Sequence, residues 1–351
     1  VLCYNRGTLL RFSMAEQGKL NLAGLCGGFS GERQISLLSG ESVMKYLDQN
    51  KYLVSHIDVV SEEEWHWYGD DGVERTLDLK QAADLEFLRS FQIFFNVLHG
   101  TYGEDGKLQA FLDQLGVSYT GSGATASTLA IDKVKTMEYG AKNKILVPEF
   151  FAVEEQPESV VADRRASSFG YPVIVKPNDS GSTLGLTLVQ RPEQLAEALD
   201  KAGHITKQVI VQRYIFGREF TCGILGNSAD QDLVMLPPIE IIIQNQIFDF
   251  NDKYFSKETQ EICPAPVDKF VTERIKEQAL LAHRVLGCDG LSRTDFRMDG
   301  AGQLYFLETN TSPGLTAGSL CPKAAAAAGI GMPQLLDRVI DLGLSRAQKA
   351  V

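Results

Sequence analysis

The chain has 351 residues, 44% of them hydrophobic and 23% charged, which is enough for two or three domains with sizeable cores. Its formal net charge of -11 argues against a nucleic-acid-binding protein, because such proteins need a basic face to neutralise phosphates. The six cysteines are scattered without a CxxC pair, and no apolar run approaches the length of a bilayer span. We therefore expect reduced cysteines, a cytoplasmic location, and neither nucleic acid nor membrane as a partner.

The first elements predict an α/β unit. After residues 1–18, which we interpret as an unstructured extension or a misassigned start with Met14 as a candidate initiator, comes the strand LNLAGLCGG. A helix from Arg33 and the strand YLVSHIDVV follow, then a surface hairpin that turns at the sequence DDG. The apolar run FQIFFNVLHG is typical of a buried parallel strand, and this βαβ pattern ends near Gly121.

Two further blocks mix strands with helices. The second block begins at Thr125 with a helix that carries IDKVKTMEYGAKN, and it contains the strand YPVIVKP and the helix PEQLAEALDKAG. The strands QVIVQRYI and REFTCGILG meet at a turn at Gly217. The amphipathic helix FVTERIKEQALLAHRVLG precedes a short hairpin, and Ala324–Ala328 predicts a further helical segment.

The glycine-rich segments GGFSGER and LHGTYGEDG each follow a predicted strand. Ser30 or Gly31 could cap the helix after the first, and Glu32 stands at its start, where it either stabilises the helix dipole or binds a substrate ammonium. His99 lies at the carboxyl end of a buried strand, where open α/β sheets bind ligands. A structural role for His99 is the alternative.

Lys133 and Lys176 are candidate phosphate ligands. Lys176 ends an apolar strand, where an ammonium is costly unless it is paired, whereas an ordinary lysine is solvated surface. The donor-rich loop NDSGSTLG (178–185) follows it, which suits the phosphates of ATP, although the spacing is not that of a P-loop. In VIVQRYIFGREF, the strand edge could bind an adenine and Glu219 could accept from ribose hydroxyls.

The hairpin LSRTDFRMDGAGQLYFLETN places acidic and amide groups together. Strand alternation puts Glu308 and Asn310 on one side, and antiparallel pairing brings Asp295 beside them. Two carboxylates and an amide suit Mg²⁺, a hard ion that is usually held together with substrate phosphates. A solvated hairpin end is the alternative, but packing does not require two acids at the end of an apolar strand.

These motifs resemble those of the D-alanine–D-alanine ligase family within the ATP-grasp superfamily. The resemblance rests on GGFSGER, LHGTYGEDG, YTGSG, IDK, VKPNDSGSTLG, SRTDF and LETNTSPGLTAGSL, in this order, between about Leu20 and Leu344. It implies α/β and α+β architecture, an ATP-grasp fold with a Rossmann-like N-terminal domain. The implied domains are an N-terminal extension (1–18), the Rossmann-like domain (19–121), a central ATP-grasp subdomain (122–212) and a C-terminal subdomain (213–351) with the metal and substrate site.

The resemblance also implies ligands for ATP and for two Mg²⁺ ions, with Mn²⁺ as a plausible substitute. The ATP set is Lys133 and Lys176 on the phosphates, Gln212, Arg213 and Ile215 at the adenine, and Glu219 at the ribose. The metal set is Asp295, Glu308 and Asn310. Relatives often have glutamate where this chain has Gln212, but an amide oxygen can still accept from the adenine amino group.

The remaining implied roles concern two D-alanine molecules. Glu32 would bind the ammonium of the first and His99 would lie near its carboxylate, while Arg293 and the Gly314 N–H would stabilise oxyanion charge. The residues implied for the second D-alanine are Ser182, Tyr254 and Ser319, with Lys253 as a ligand for its carboxylate.

The implied activity is ATP-dependent ligation of two D-alanines through an acyl phosphate, for peptidoglycan synthesis, by a homodimer. Two alternatives remain: a ligase that makes D-alanyl-D-lactate, and a nucleotide-binding regulatory protein without catalysis. The neutral phenol of Tyr254 favours an amine acceptor over a hydroxy acid, since a cationic loop residue would be needed to repel the competing ammonium. The presence of Arg293 and the full set of acids argues against a non-catalytic protein.

Overall fold

The computed structural model describes residues 18–69, 73–154, 159–181, 185–242 and 259–349. Within these ranges three β-sheets follow one another along the chain, each packed against helices. The first sheet has a parallel core, and the other two are antiparallel. The predicted α/β and α+β architecture is therefore confirmed.

The first sheet contains the predicted βαβ pattern. Its strands are β1 (Leu20–Gly27), β2 (Tyr52–Val59), β3 (Glu64–Tyr68), β4 (Glu74–Asp78), β5 (Ile93–Asn96) and β6 (Ser118–Tyr119), in the spatial order β4-β3-β2-β1-β5-β6. Helices α1 (Arg33–Tyr46), α2 (Ala82–Arg89) and α3 (Lys107–Leu115) connect them. All four residues of β5 are buried, as its continuous apolar sequence predicted. The strands β3 and β4 pair as the predicted hairpin, whose turn lies outside the described residues.

The second sheet follows a helix pair that differs from the prediction. Its elements are α4 (Ala124–Ile131), α5 (Lys133–Lys142), β7 (Phe150–Glu154), α6 (Ser159–Phe169), β8 (Val173–Pro177), β9 (Thr187–Val189), a 3₁₀ turn (Pro192–Gln194), α7 (Leu195–Gly203) and β10 (Gln208–Arg213). The strand order is β7-β10-β8-β9. The single helix predicted from Thr125 is wrong, because Asp132 is extended and caps α5 by accepting the N–H of Lys135.

The third sheet contains the predicted acidic hairpin. Its elements are β11 (Arg218–Leu225), β12 (Val234–Met235), β13 (Ile239–Ile242), β14 (Gln260–Ile262), α8 (Lys269–Val285), β15 (Leu291–Met298), β16 (Leu304–Asn310), α9 (Leu320–Ala327) and α10 (Met332–Lys349). The order is β14-β13-β11-β15-β16, and β12 pairs with β11. The domain boundaries after residues 121 and 212 stay predictions; β10, which ends at Arg213, belongs to the second sheet.

The helix α10 returns to the first sheet. Its apolar residues recur at helical spacing, and Leu336 and Ile340 lie in one core with Leu22 and Ile93 of the first sheet. The Tyr52 hydroxyl and the Lys51 ammonium both contact the carboxylate of Asp337 on α10. The first and third sheets are thus fastened to each other by a shared core.

No helix in the described ranges is both long enough and apolar enough to cross a bilayer. The five described cysteines are free, and four of them are buried, namely Cys26, Cys222, Cys288 and Cys321.

The turn between β10 and β11 depends on glycine. Gly217 has φ +145°, and a Cβ at this position would lie 1.9 Å from the carbonyl oxygen of Met298. We therefore expect Gly217→Ala to lower the free energy of unfolding by at least about 2 kcal/mol, because the backbone of two elements must separate. Gly300, in the adjacent hairpin turn, has open space around its Cα, so Gly300→Ala is the matched control. Equal thermal unfolding curves for the two variants would contradict this account.

Candidate active site

The hairpin β15–β16 brings the predicted metal ligands together. Asp295 lies opposite Glu308, and Arg293 lies opposite Asn310, with a bulge after Asp295. On the other face, the hydroxyls of Thr294 and the paired threonine on β16 are 3.0 Å apart and buried. The hairpin therefore presents its charged and amide groups on one face only.

Arg293 and Asp295 form a pair that the sequence did not predict. Nε and Nη2 of Arg293 donate to the two carboxylate oxygens of Asp295, each at 2.9 Å, and Thr221 also donates to Oδ1. Burial alone would lower the pKa of the Arg293 guanidinium, but the charge of Asp295 outweighs it and the pKa is raised. The guanidinium thus stays charged and fixed in direction.

Lys133 is fixed where the second sheet meets the third. As the first residue of α5, it donates its backbone N–H to the carbonyl of Asn178, and Oδ1 of Asn178 accepts the N–H of Val134. Its ammonium donates to the carbonyl of Ser180 at 2.8 Å and lies 3.5 Å from Oε2 of Glu308. The break before α5 therefore aims this lysine at the acidic hairpin.

Lys176 lies buried on β8, beside these charges. Burial lowers the pKa of its ammonium from 10.5 to about 8. The nearby charges partly cancel, because Glu308 and Glu219 raise this pKa whereas Lys133 lowers it. An anionic ligand beside Lys176 would restore the balance of charge at this point.

The predicted adenine-binding residues lie at the end of β10. Gln212 is buried, and its Oε1 has no hydrogen-bond partner among the described residues. An unpaired acceptor of this kind costs free energy unless a ligand donates to it. The next residue, Arg213, pairs with Glu149 at 2.6 Å, and Ile215 is buried.

Glu219 is held by Arg297, a residue that the sequence analysis missed. Two nitrogens of Arg297 contact Oε2 of Glu219 at 3.0 and 3.2 Å, and a third donates to the carbonyl of Ile215 at 3.1 Å. Burial raises the pKa of the Glu219 carboxyl, while Arg297 opposes that shift. Strand alternation from Arg293 and Asp295 could have revealed Arg297 on the same face.

Glu32 follows β1 and His99 follows β5, the neighbouring strand. The two loops that carry these residues contact each other. The helix α1 begins after Glu32, which is its N-cap, so the predicted cap at Ser30 or Gly31 is wrong. Instead, the Ser30 hydroxyl accepts the N–H of Glu32 and donates to the carbonyl of His99. A Cβ on Gly100 or Gly181 would lie within 2.8 Å of the Glu32 carboxylate, so both glycines permit its close approach.

A cavity of about 450 Å³ lies between the first sheet, α5 and the third sheet. Its lining includes eight of the predicted site residues, namely Glu32, His99, Lys133, Arg293, Glu308, Asn310, Gly314 and Ser319. A Cβ on Gly314 would lie 2.9 Å from the hydroxyl of Ser319, so the absence of a side chain brings these residues together. The predicted ATP residues on β8, β10 and β11, together with Asp295, lie outside this lining.

Three predicted residues, Ser182, Lys253 and Tyr254, lie outside the described residues. The cavity also contains two glutamates that the sequence analysis did not assign. They are Glu104, in the GTYGEDG segment, and Glu261, on β14. Glu104 accepts the N–H of Gly100, which suggests that the GEDG part of the motif supports the loop after His99.

The donor set fits a divalent cation. Asp295, Glu308 and Asn310 carry oxygen atoms, the ligand type that hard cations prefer, and both oxygens of Asp295 already accept hydrogen bonds from Arg293. Within the described ranges, histidine, cysteine and carboxylate side chains form no cluster of three or more that could hold a metal by itself. The Lys133 ammonium lies 3.5 Å from Glu308, and the charge of Glu308 also raises the pKa of Lys176, so both cations lie near the acidic hairpin.

Comparison with models of known protein families shows to which family this chain belongs. The model described as D-ala D-ala ligase N-terminus matches residues 21–122, and that described as D-ala D-ala ligase C-terminus matches residues 142–341. This chain belongs to the D-alanine–D-alanine ligase family. The ATP-grasp fold predicted from the motifs is accordingly confirmed.

Curated relatives agree with this assignment over nearly their whole length. A D-alanine–D-alanine ligase of Desulfotalea psychrophila is 38% identical, with 94% of this chain and 97% of the relative covered. One of Syntrophobacter fumaroxidans is 39% identical, with 93% and 98% covered.

Solved structures of the family have the same fold. The Coxiella burnetii D-alanine–D-alanine ligase is 25% identical with a TM-score of 0.81, covering 95% of this chain and 96% of its own. The VanG D-Ala:D-Ser ligase of Enterococcus faecalis is 28% identical with a TM-score of 0.82, covering 92% and 99%. The Bacillus anthracis D-alanine–D-alanine ligase complexed with ATP has a TM-score of 0.76 at 27% identity, covering 95% and 100%.

The lowered pKa of Lys176 predicts a pH dependence of nucleotide affinity. Anionic phosphates favour the charged lysine, so ADP must bind the protonated form and its affinity should fall as pH rises through about 8. Well above pH 8, the affinity for ADP should fall about tenfold for each pH unit. Isothermal titration with ADP and EDTA between pH 7.5 and 9.5 measures this slope without metal.

Lys176→Met is the control for this titration. It should bind ADP weakly and with a flat pH profile over the same range. The same slope in the variant as in the wild type would show that a different group titrates.

Proposed function

We propose that this chain joins two D-alanine molecules into D-alanyl-D-alanine, with conversion of ATP to ADP and phosphate, as a step of peptidoglycan synthesis. The observation that carries this proposal is the convergence of Lys133, Arg293 and Glu308 on one cavity in a chain of this family. A carboxylate is a poor acyl donor, so the reaction needs both a phosphoryl donor and groups that offset concentrated negative charge.

ATP lies between the second and third sheets in this proposal. Lys133 and Lys176 bind its phosphates, and the loop 178–185 covers them. Gln212, Arg213 and Ile215 line the adenine pocket; the unpaired, buried Oε1 of Gln212 supports this placement because it can accept from the adenine amino group. The Glu219 carboxylate accepts hydrogen bonds from the ribose hydroxyls.

Asp295, Glu308 and Asn310 would hold two Mg²⁺ ions in this proposal, and Mn²⁺ would be a plausible substitute. When bound, such ions neutralise phosphate charge and orient the transferred group. The predicted homodimer remains an inference from the family resemblance.

The first D-alanine binds beside the N-terminal sheet. Glu32 pairs with its ammonium, and His99 lies near its carboxylate. One oxygen of that carboxylate attacks the γ-phosphorus of ATP, the bond to the β-phosphate oxygen breaks, and ADP leaves. The product is an acyl phosphate whose carbonyl faces Arg293.

The second D-alanine then supplies a neutral amine. The nitrogen attacks the acyl carbon, and the carbonyl electron pair moves onto oxygen, where Arg293 and the Gly314 N–H stabilise the charge. The pair returns, the bond to phosphate breaks, and the nitrogen loses a proton to give the amide. Ser182, Lys253, Tyr254 and Ser319 orient this acceptor and its carboxylate. No covalent protein intermediate forms, so catalysis is positioning and charge stabilisation.

A different acceptor is the second candidate function. The similar VanG structure is a D-Ala:D-Ser ligase, so the same architecture accommodates other acceptors. We expect D-alanyl-D-alanine to dominate when D-alanine, D-serine and D-lactate compete at equal concentrations at pH 7. Mass spectrometry of the products measures the choice. Mainly D-alanyl-D-serine or D-alanyl-D-lactate would refute the proposed acceptor, and no amino-acid-dependent release of phosphate would refute the proposed ligation.

Glu308 gives the sharpest test of the metal assignment. Glu308→Gln removes a charge from the proposed site but keeps the shape of the side chain, so turnover should fall by at least about 10²-fold. The melting temperature should fall only modestly, because the Glu308 side chain is partly exposed and its ion pair with Lys133 is 3.5 Å long. The exposed Glu277 on α8 offers the matched control, Glu277→Gln, which should retain wild-type turnover. Near wild-type turnover of Glu308→Gln at ordinary Mg²⁺ would show that the metal assignment is wrong.

A further inference from the structure

Glu261 is a carboxylate in the cavity wall that the assigned roles do not use. It lies on the edge strand β14, opposite Ile241 of β13, and lines the same cavity as Arg293 and Ser319. Its side chain is 19% exposed. A largely buried carboxylate needs a cationic or hydrogen-bonding partner, and its position at the cavity offers it to a substrate.

One such partner is Lys323 on α9. The Lys323 ammonium contacts Oε2 of Glu261 at 2.5 Å. Lys323 itself is 40% exposed and does not line the cavity. A carboxylate can accept several hydrogen bonds, so the contact with Lys323 leaves acceptor capacity for a ligand in the cavity.

Glu261 is linked through Lys323 to Ser319, a residue that we propose for the second amino acid. The backbone N–H of Lys323 donates to the carbonyl of Ser319, so the ion pair fastens β14 to the start of α9. Ser319, a residue that we propose for the second D-alanine, lies in that same wall. Glu32, proposed for the ammonium of the first D-alanine, comes instead from the first sheet, on another wall.

We propose that the Glu261 carboxylate binds the ammonium group of the second, acceptor amino acid and so selects amino acids over hydroxy acids. This inference rests on the proposed function and adds a specificity-determining residue to it. At neutral pH the acceptor arrives as a zwitterion, whereas a hydroxy acid has no cation for Glu261 to bind. A carboxylate in this wall thus favours the amine at the binding step, before the ammonium loses its proton.

The competing explanation is that Glu261 and Lys323 form only a structural ion pair. Two single variants of the full-length protein separate the explanations, because both break the ion pair but only one removes the cavity charge. Glu261→Gln is nearly isosteric and leaves the acceptor ammonium without a carboxylate. Lys323→Met, the matched control, leaves Glu261 charged and removes its competitor.

The experiment measures the Michaelis constants for donor D-alanine, acceptor D-alanine and ATP, with the ratio of D-alanyl-D-alanine to D-alanyl-D-lactate when both acceptors compete. For Glu261→Gln we expect the acceptor constant to rise about tenfold, which corresponds to about 1.4 kcal/mol, and the dipeptide-to-depsipeptide ratio to fall at least about fivefold. The constants for the donor and ATP should stay unchanged. Lys323→Met should neither raise the acceptor constant nor lower the ratio.

Several results would overturn the inference. Equal changes of the acceptor constant in the two variants would show that the ion pair is only structural. An unchanged acceptor constant in Glu261→Gln would show that Glu261 does not bind the acceptor. A rise in the donor constant alone would place Glu261 beside the first amino acid. In each case the wild-type protein would still make the dipeptide, whereas a wild-type protein without ligation would refute the proposed function itself.

Discussion

Charge compensation at the meeting of the second and third sheets is the constraint on which the rest of the site depends. Lys133 and Lys176 are both largely buried there, and the carboxylate of Glu308 lies near both. Burial is the main cause of the lowered pKa of Lys176, and the charge of Lys133 adds to it, so an anion at this point would stabilise both ammonium groups. The unliganded protein is therefore arranged for an anion at this point, and ATP phosphates have the charge that it needs.

The fold maintains this arrangement through contacts far from the cavity. Asn178 ties α5 to the end of β8, and its side-chain amide also donates to Asp132 and Gln208. On the other side of the cavity, α10 shares a hydrophobic core with the first sheet. Because the walls come from separate sheets, these ties keep Glu32 and the hairpin β15–β16 at the two sides of one cavity.

Local patterns predicted the elements whose neighbours along the chain decide their structure. The apolar run at β5 predicted a buried strand, and alternation along β16 predicted that Glu308 and Asn310 share a face. Glycine-rich motifs also placed Glu32 and His99 at a ligand-binding edge, where the cavity lies.

Side-chain geometry and long-range packing explain what the sequence did not predict. The N-cap at Asp132 ends one helix and begins another, although no proline or glycine marks the break. The bidentate pair of Arg293 with Asp295 and the support of Glu219 by Arg297 both depend on side-chain geometry that strand alternation alone does not fix. The docking of α10 on the first sheet joins residues more than 200 positions apart, and no local signal encodes it.

In the proposed reaction, ATP activates the carboxylate of D-alanine as an acyl phosphate. The most direct test of this step is the fate of oxygen from D-alanine labelled with ¹⁸O in the carboxylate. We expect one ¹⁸O atom per dipeptide in the released inorganic phosphate, because the acyl phosphate breaks at its carbon–oxygen bond. Phosphate that carries oxygen from solvent water instead, while dipeptide is formed, would contradict it.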